Sequence, residues 1–478
     1  MATVGGLLLV LATACCVGLP WGRDRERRRP PASAPSPDLP RAPTVPPGPF
    51  HPNVLLVILD DVGQDRLAPW GRAVDPSPTP TIDSLVADGL LFHNAYAAPV
   101  CQAGRAALLT GRWAHRTGVG SNTDPRETGW TLGPNQGTLP LLLQHHGWRT
   151  ALVGKWHLAT MDTPDPLRDP LRRGFEGSRG TFANVLDRVR TKADGTYTSW
   201  ERIEDGKPHL ETRYVTTVQV DDAIAYTRTL TEPWLIWFAP NAAHDPWAAP
   251  PESLVPGPPA QDPVTAYRAT LTAFDVELGR LLDALPADTR KNTLIVLVAD
   301  NGTPKRVIPP PFRDSRGKTT LFDGGTLIPM VWTGPGVTPG ETAALVHLID
   351  VLPTLADLFD MDVTWSPYGP QIIDGLSFAP VLTNATAPAR PFLITEDFQP
   401  NGDPKKASSR RVAVRDSRYK LIRDLLTGKE MLFRYTPNAI DEGPDLLRAS
   451  LDSEATSARA RLGGEIDKFN RDVSFNGP

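Results

Sequence analysis

The sequence predicts an α/β protein: a large, mostly parallel mixed sheet sandwiched by helices, with a smaller C-terminal antiparallel-sheet subdomain. Three observations carry that prediction. Short, apolar, β-branched runs alternate with helical patterns after residue 52, as parallel strands covered on both faces require. Four of these runs end in acids, amides, lysine or histidine. From about Pro388, strand-like runs follow one another closely, as in an antiparallel meander.

The strands and helices read in order. Val54–Leu59 ends in Asp60-Asp61; Thr150–Val153 leads to Gly154-Lys155-Trp156-His157. Leu235–Phe238 leads to His244-Asp245-Pro246, and Leu294–Val298 to Asp300-Asn301-Gly302. Between them, helices are expected near Thr81, over Val215–Leu230, and over Val264–Leu285, where Leu271, Phe274, Leu278 and Leu282 share one face. A further helix covers Leu348–Phe359, with Pro353 interrupting it. Arg411–Arg415, Tyr419–Arg423 and Met431–Tyr435 read as C-terminal strands, and Ser450–Pro478 as an amphipathic helix with a frayed end.

Four segments follow from this reading: a leader over 1–22, a Pro-rich disordered tether over 23–48, a catalytic domain over 49–387, and a C-terminal subdomain with its tail over 388–478. The leader is uncharged and apolar through Leu7–Leu11, which points to export. Leu11-Ala12-Thr13-Ala14-Cys15 loosely resembles a lipidation box, so a cleaved signal, a lipid anchor and a retained membrane tether all stay open. Arg23, Arg25, Arg27, Arg28 and Arg29 follow the apolar run and no basic residue precedes it, the pattern of an uncleaved anchor with that side inside. Nine prolines fall between Pro30 and Pro49, too many for a packed segment. Over 478 residues the net charge is only −4, with both signs interspersed, so no nucleic-acid partner is expected.

In open α/β sheets, ligands bind beyond the carboxyl ends of the strands. Asp60, Asp61, Asp300 and Asn301 would meet there and offer only oxygen, which suits a hard cation, Ca²⁺ or Mg²⁺, better than zinc. Cys101 is the only cysteine outside the leader, so it has no internal disulfide partner. It opens a helical pattern in which Arg105 stands one turn later, on the same face. An anion bound at that helix end would meet the dipole and the guanidinium together. Lys155 and His157 lie two apart, on one side if the segment is extended. Lys318 sits beside the turn Asp323-Gly324-Gly325.

These residues resemble the formylglycine-dependent sulfatases of the alkaline-phosphatase-like superfamily. The most specific match runs from Pro99-Val100-Cys101-Gln102-Ala103-Gly104-Arg105 to Leu109-Thr110-Gly111-Arg112, and the second from Gly147-Trp148 to Gly154-Lys155-Trp156-His157. Asn53–Asp61, Thr79–Asp83, Phe92–Tyr96, Ala299–Gly302 and Arg415–Ile422 add support. The resemblance implies a Ca²⁺ held by Asp60, Asp61, Asp300 and Asn301, with Cys101 oxidised to formylglycine (3-oxoalanine) against it. It implies that Arg105 steadies the aldehyde hydrate, Lys155 and Lys318 grip sulfate, His244 with Lys318 protonates the leaving alcohol, and His157 takes the proton that releases sulfate.

The implied substrate is a sulfated small molecule or glycan, and the implied partner is a formylglycine-generating or anaerobic sulfatase-maturating enzyme. Ala103 and Gly104 depart from the usual Pro and Ser of the modification core, and Trp148 stands where Tyr is common. A phosphonate monoester or phosphodiester hydrolase uses the same scaffold, and an unmodified protein that binds sulfated glycans would keep the same fold. The segment Met161–Arg213 is expected to border the pocket. There Arg168, Arg172, Arg173, Arg179 and Arg188 suit either a polyanionic sugar or solvent.

Overall fold

The run Asn53-Val-Leu-Leu-Val-Ile-Leu59 is buried at every position and forms strand β1 (Asn53–Leu59) at the centre of the molecule. The computed structural model describes residues 50–310, 312, 314–436 and 441–475; the leader and tether expected over 1–48 lie outside them. β1 is flanked by β7 (Trp234–Ala239) and β8 (Thr293–Ala299), both parallel to it and equally buried. β3 (Arg149–Lys155) continues the parallel block beyond β7, and β4 (Gly177–Thr181) follows β3. Strands covered on both faces have no solvent side, which is why their sequences are continuous apolar runs rather than alternating ones.

The outer strands depart from that pattern. β9 (Met330–Thr333) runs antiparallel to both β8 and β2 (Leu90–Tyr96), and β10 (Gly340–His347) closes that edge parallel to β2. At the other edge, β5 (Trp200–Glu204) and β6 (Lys207–Glu211) form a hairpin beside β4. The full order is β10-β2-β9-β8-β1-β7-β3-β4-β5-β6. A second, four-stranded antiparallel sheet joins β11 (Leu393–Gln399), β12 (Ser409–Arg415), β13 (Tyr419–Asp424) and β14 (Glu430–Arg434). The expected fold class is present, with a reversed strand and a terminal hairpin added.

The helices sit close to their expected bounds. Val215–Thr229 and Pro263–Asp283 are α-helical, the latter capped by Asp262, whose carboxylate accepts from the amides of Val264 and Thr265. Pro353 does not interrupt its helix. A 3₁₀ turn at Leu348–Asp350 leads into Val351–Leu358, so the proline falls in the first α-turn, where its missing N–H has no partner to lose. Ser453–Arg471 packs on β12 and β13 through Ala455, Ala458, Leu462 and Ile466. No helix among the described residues is long and apolar enough to cross a membrane.

Candidate active site

Every polar strand end singled out in the sequence faces one small volume at the carboxyl edge of the parallel block. β1 delivers Asp60 and Asp61, β3 delivers Lys155, and β8 delivers Asp300 and Asn301, all buried. The helix Cys101–Thr110 brings Cys101 and Arg105 from the side, also buried. His244, after β7, and Lys318 keep 12% and 14% of their side-chain surface exposed and mark the open side. Donor atoms of Asp60, Asp61, Cys101 and His244 all lie within 4.8 Å of one another.

The contacts interlock acids with cations. Lys155 Nζ lies 2.7 Å from Asp60 Oδ2, and Arg105 Nη2 lies 3.3 Å from the same oxygen. Arg105 Nε donates to Asp300 Oδ2 at 2.8 Å and its Nη1 to the Lys155 carbonyl at 2.7 Å. Lys318 Nζ sits 2.5 Å from Asp61 Oδ1 and 3.1 Å from Cys101 Sγ. The sulfur is 3.4 Å from Asp60 Oδ1 and 3.6 Å from Asp61 Oδ1.

Gly104 makes this closeness possible. A Cβ there would lie 2.0 Å from the Asp300 carbonyl oxygen, so in this packing the helix approaches the β8 end only with glycine at that position. The departure from serine noted in the sequence therefore has a steric role in this chain.

The three carboxylates are matched by three cations, Lys155, Arg105 and Lys318, and one polar atom of the set is left over. Asn301 donates through Nδ2 to Asp61 Oδ1 at 2.8 Å, while its Oδ1 is buried without a hydrogen-bond partner. An orphaned amide oxygen beside three carboxylates is the donor set of a hard divalent cation, so these residues fit Ca²⁺. The field they create splits the titrations. Burial would raise Asp60, yet Lys155, His244 and Arg105 hold it well below the ordinary carboxylate range. For Asp61, burial is likewise overcome by Lys318 and His244. Asp300 moves the other way, raised by burial and by Asp60.

The Cys101 thiol is pushed well above its usual range by burial and by Asp300. A thiolate nucleophile needs the opposite shift, so a plain cysteine is poorly suited to attack here.

His157 has positive φ (64°), so the segment after β3 turns instead of extending as the two-apart spacing assumed. Its Nδ1 is buried without a partner, and burial together with Lys155 and Arg105 pushes its titration well below the usual range. The ring is thus a neutral base near cations.

Arg173 and Arg179 are committed elsewhere, while Arg168 and Arg188 stay on the surface. Arg173 is buried and donates to the carbonyls of Leu132, Gly133 and Pro134, while Arg179 pairs with Glu204 and Asp222. Arg168 and Arg172 lie by Asp165, and Arg188 donates to the Asp194 carbonyl. Sequence reasoning missed the groups that hold the site from behind. Tyr267 donates to the Asp61 carbonyl at 2.9 Å, and Thr303 donates to Asp65 and accepts from the Gly63 amide. Tyr267 stands one helical turn before Leu271, so its burial was legible, but not its partner.

Comparison with known proteins bears on the family of the chain. The Sulfatase family model matches residues 52–361. N-acetylgalactosamine-6-sulfatase from Homo sapiens is 29% identical over 372 residues, covering 72% of this chain and 68% of that protein. Arylsulfatase A from Bos taurus is 29% identical over 365 residues, covering 69% and 68%. Among solved structures, Ps i-CgsB in complex with k-i-k-neocarrahexaose superposes with a TM-score of 0.72 at 25% identity, covering 89% of this chain and 94% of that one.

Proposed function

Because this chain belongs to the sulfatase family and is a sulfuric ester hydrolase, we propose that it releases sulfate from a carbohydrate or aryl sulfate using formylglycine made from Cys101 and a bound Ca²⁺. The observation that carries the reading is the burial of Cys101 between Asp60, Asp61 and Lys318, where a thiol is held protonated.

Asp60, Asp61, Asp300 and Asn301 would hold the cation, which supplies fixed positive charge for the sulfate oxygens. A hydrated aldehyde at position 101 supplies one oxygen to attack sulfur and a second whose deprotonation lets sulfate leave by C–O cleavage. The chain's own side chains do the rest. Lys155 and Lys318 would meet the negative charge that grows on the nonbridging oxygens, and Arg105 fixes the helix start against Asp60 and Asp300. His244, on the open side, is the proton donor for the departing alcohol with Lys318, and neutral His157 accepts the proton that the second hydroxyl loses.

Two measurements test this. The mass of the Cys101 peptide, after expression with a competent maturation enzyme, should show one H₂S lost and one oxygen gained. Paired aryl sulfate and aryl phosphate assays should favour sulfate. An unchanged thiol in a fully active preparation would reject the mechanism. Asp300→Ala should abolish both turnover and calcium-induced thermal stabilisation, because it removes a carboxylate ligand and frees Arg105.

A further inference from the structure

We infer that Tyr197 is the positioning residue that aims His244 at the leaving-group oxygen. Its hydroxyl lies 2.9 Å from the Asn241 carbonyl and 2.7 Å from the His244 carbonyl, so one O–H spans both ends of the turn carrying the histidine. The same turn is closed by the His244 amide donating to the Asn241 carbonyl at 2.9 Å. Tyr197 is fully buried, and burial pushes its phenol titration well up, so the hydroxyl stays a donor.

The remaining anchors act elsewhere on the turn. Asn241 is held through Gln219 and Thr181, and Ala242 and Ala243 exchange backbone hydrogen bonds with Asp60. Trp247 donates to the Ala243 carbonyl at 2.8 Å. Among the described residues only Tyr197 grips the His244 carbonyl from outside the turn. The imidazole itself is oriented by Nδ1, 2.7 Å from the Asp245 carbonyl, which leaves Nε2 on the side of Asp61, 3.8 Å away. Asp245 is well exposed, so the turn borders solvent, and a shift of its His244 end would carry Nε2 off line. The segment Met161–Arg213 thus serves the site through a tyrosine.

The inference rests on His244 being the leaving-group acid, and the test separates the two. Tyr197→Phe removes one oxygen and keeps the ring. Wild type, Tyr197→Phe, His244→Ala and the double variant are assayed on aryl sulfates of graded leaving-group acidity, with rates normalised to converted Cys101 so that folded, matured protein is compared. Tyr197→Phe should lower kcat roughly tenfold on the poorest leaving group, the scale usual for lost supporting hydrogen bonds, and less than twofold on the best. KM should stay within about twofold, and the double variant should be no slower than His244→Ala. A uniform slowing across the series, or a full extra loss on top of His244→Ala, would overturn the tyrosine's role while leaving the acid in place. A flat response of His244→Ala itself would instead reject the acid assignment.

Discussion

Two buried clusters of charge sit on this molecule, and they are built differently. The site cluster combines strand ends, a helix start and loops, and Asp61, His157 and Thr319 beside it all have positive φ (66°, 64° and 74°). The second cluster joins the C-terminal sheet to the main domain: Asp323 Oδ1 accepts from Tyr96, Lys420 and Tyr435 at 2.9–3.0 Å, and Glu442 Oε1 accepts from Lys420 at 2.9 Å. Three of its residues come from strands, Tyr96 on β2, Arg415 on β12 and Lys420 on β13, and none of the cluster has positive φ. Non-glycine residues in that region cost about 1–3 kcal/mol each and persist where the surroundings impose them. The first cluster tolerates strain to aim groups at a shared volume and opens to solvent through Lys318 and His244. The second is closed by phenol hydroxyls and serves cohesion. It also accounts for the Arg415–Ile422 match, which carries none of the assigned chemistry.

That contrast is sharpest when each cluster is broken in turn. Cys101→Ala should eliminate measurable turnover while leaving the unfolding midpoint nearly unchanged, since a small residue at a helix start is well tolerated; turnover assays and thermal unfolding check both halves. Lys420→Met should do the reverse. Removing the cation leaves Asp323 and Glu442 buried without it, a loss of about 3–5 kcal/mol in denaturant unfolding. Its kcat/KM per folded molecule should stay within about threefold. A Lys420→Met protein that is stable but inactive would show that the two clusters are one machine.

A smaller effect comes from a histidine that refuses charge. His347 is buried with its titration lowered to about 3 from 6.5, chiefly by burial and then by Arg390, and its Nδ1 accepts from the Ile349 amide. Between those values the unfolded chain binds a proton that the folded chain does not, so stability falls as pH drops below about 6.5. His347→Asn keeps a cap acceptor without a titrating ring, so the stability lost between pH 7 and 5 should shrink by about 2 kcal/mol, read from denaturant unfolding at each pH. The smallest effect is expected at Arg168, 60% exposed and 4.0 Å from Asp165. Arg168→Ala should leave KM within about twofold on a sulfated sugar, as a solvated surface charge would. A large rise in KM would return that arginine to the substrate.

Much of the site was readable before any fold was known, because its chemistry depends on residue type at strand ends. Asp60-Asp61, Lys155 and Asp300-Asn301 each follow an apolar run, and a lone Cys101 with Arg105 one turn later marks a helix start. What stayed hidden acts across distance. Asn301 meets Asp61 over a separation of 240 residues, and Tyr197 meets His244 over 47. β4 was hidden for another reason: Gly177-Ser-Arg-Gly-Thr181 has no apolar run, and its place beside β3 comes from the neighbour's ladder.

By itself the sequence determined the central apolar strands, the long helices and which functional groups they carry, because hydrophobic period, turn chemistry and side-chain type are local properties. Only the tertiary structure decided the reversed β9, the burial of Arg173 against the carbonyls of Leu132, Gly133 and Pro134, the need for glycine at position 104 and the grip of Tyr197 on the histidine turn. Each of those depends on which backbone or carbonyl arrives from a distant part of the chain, and no local pattern specifies that arrival.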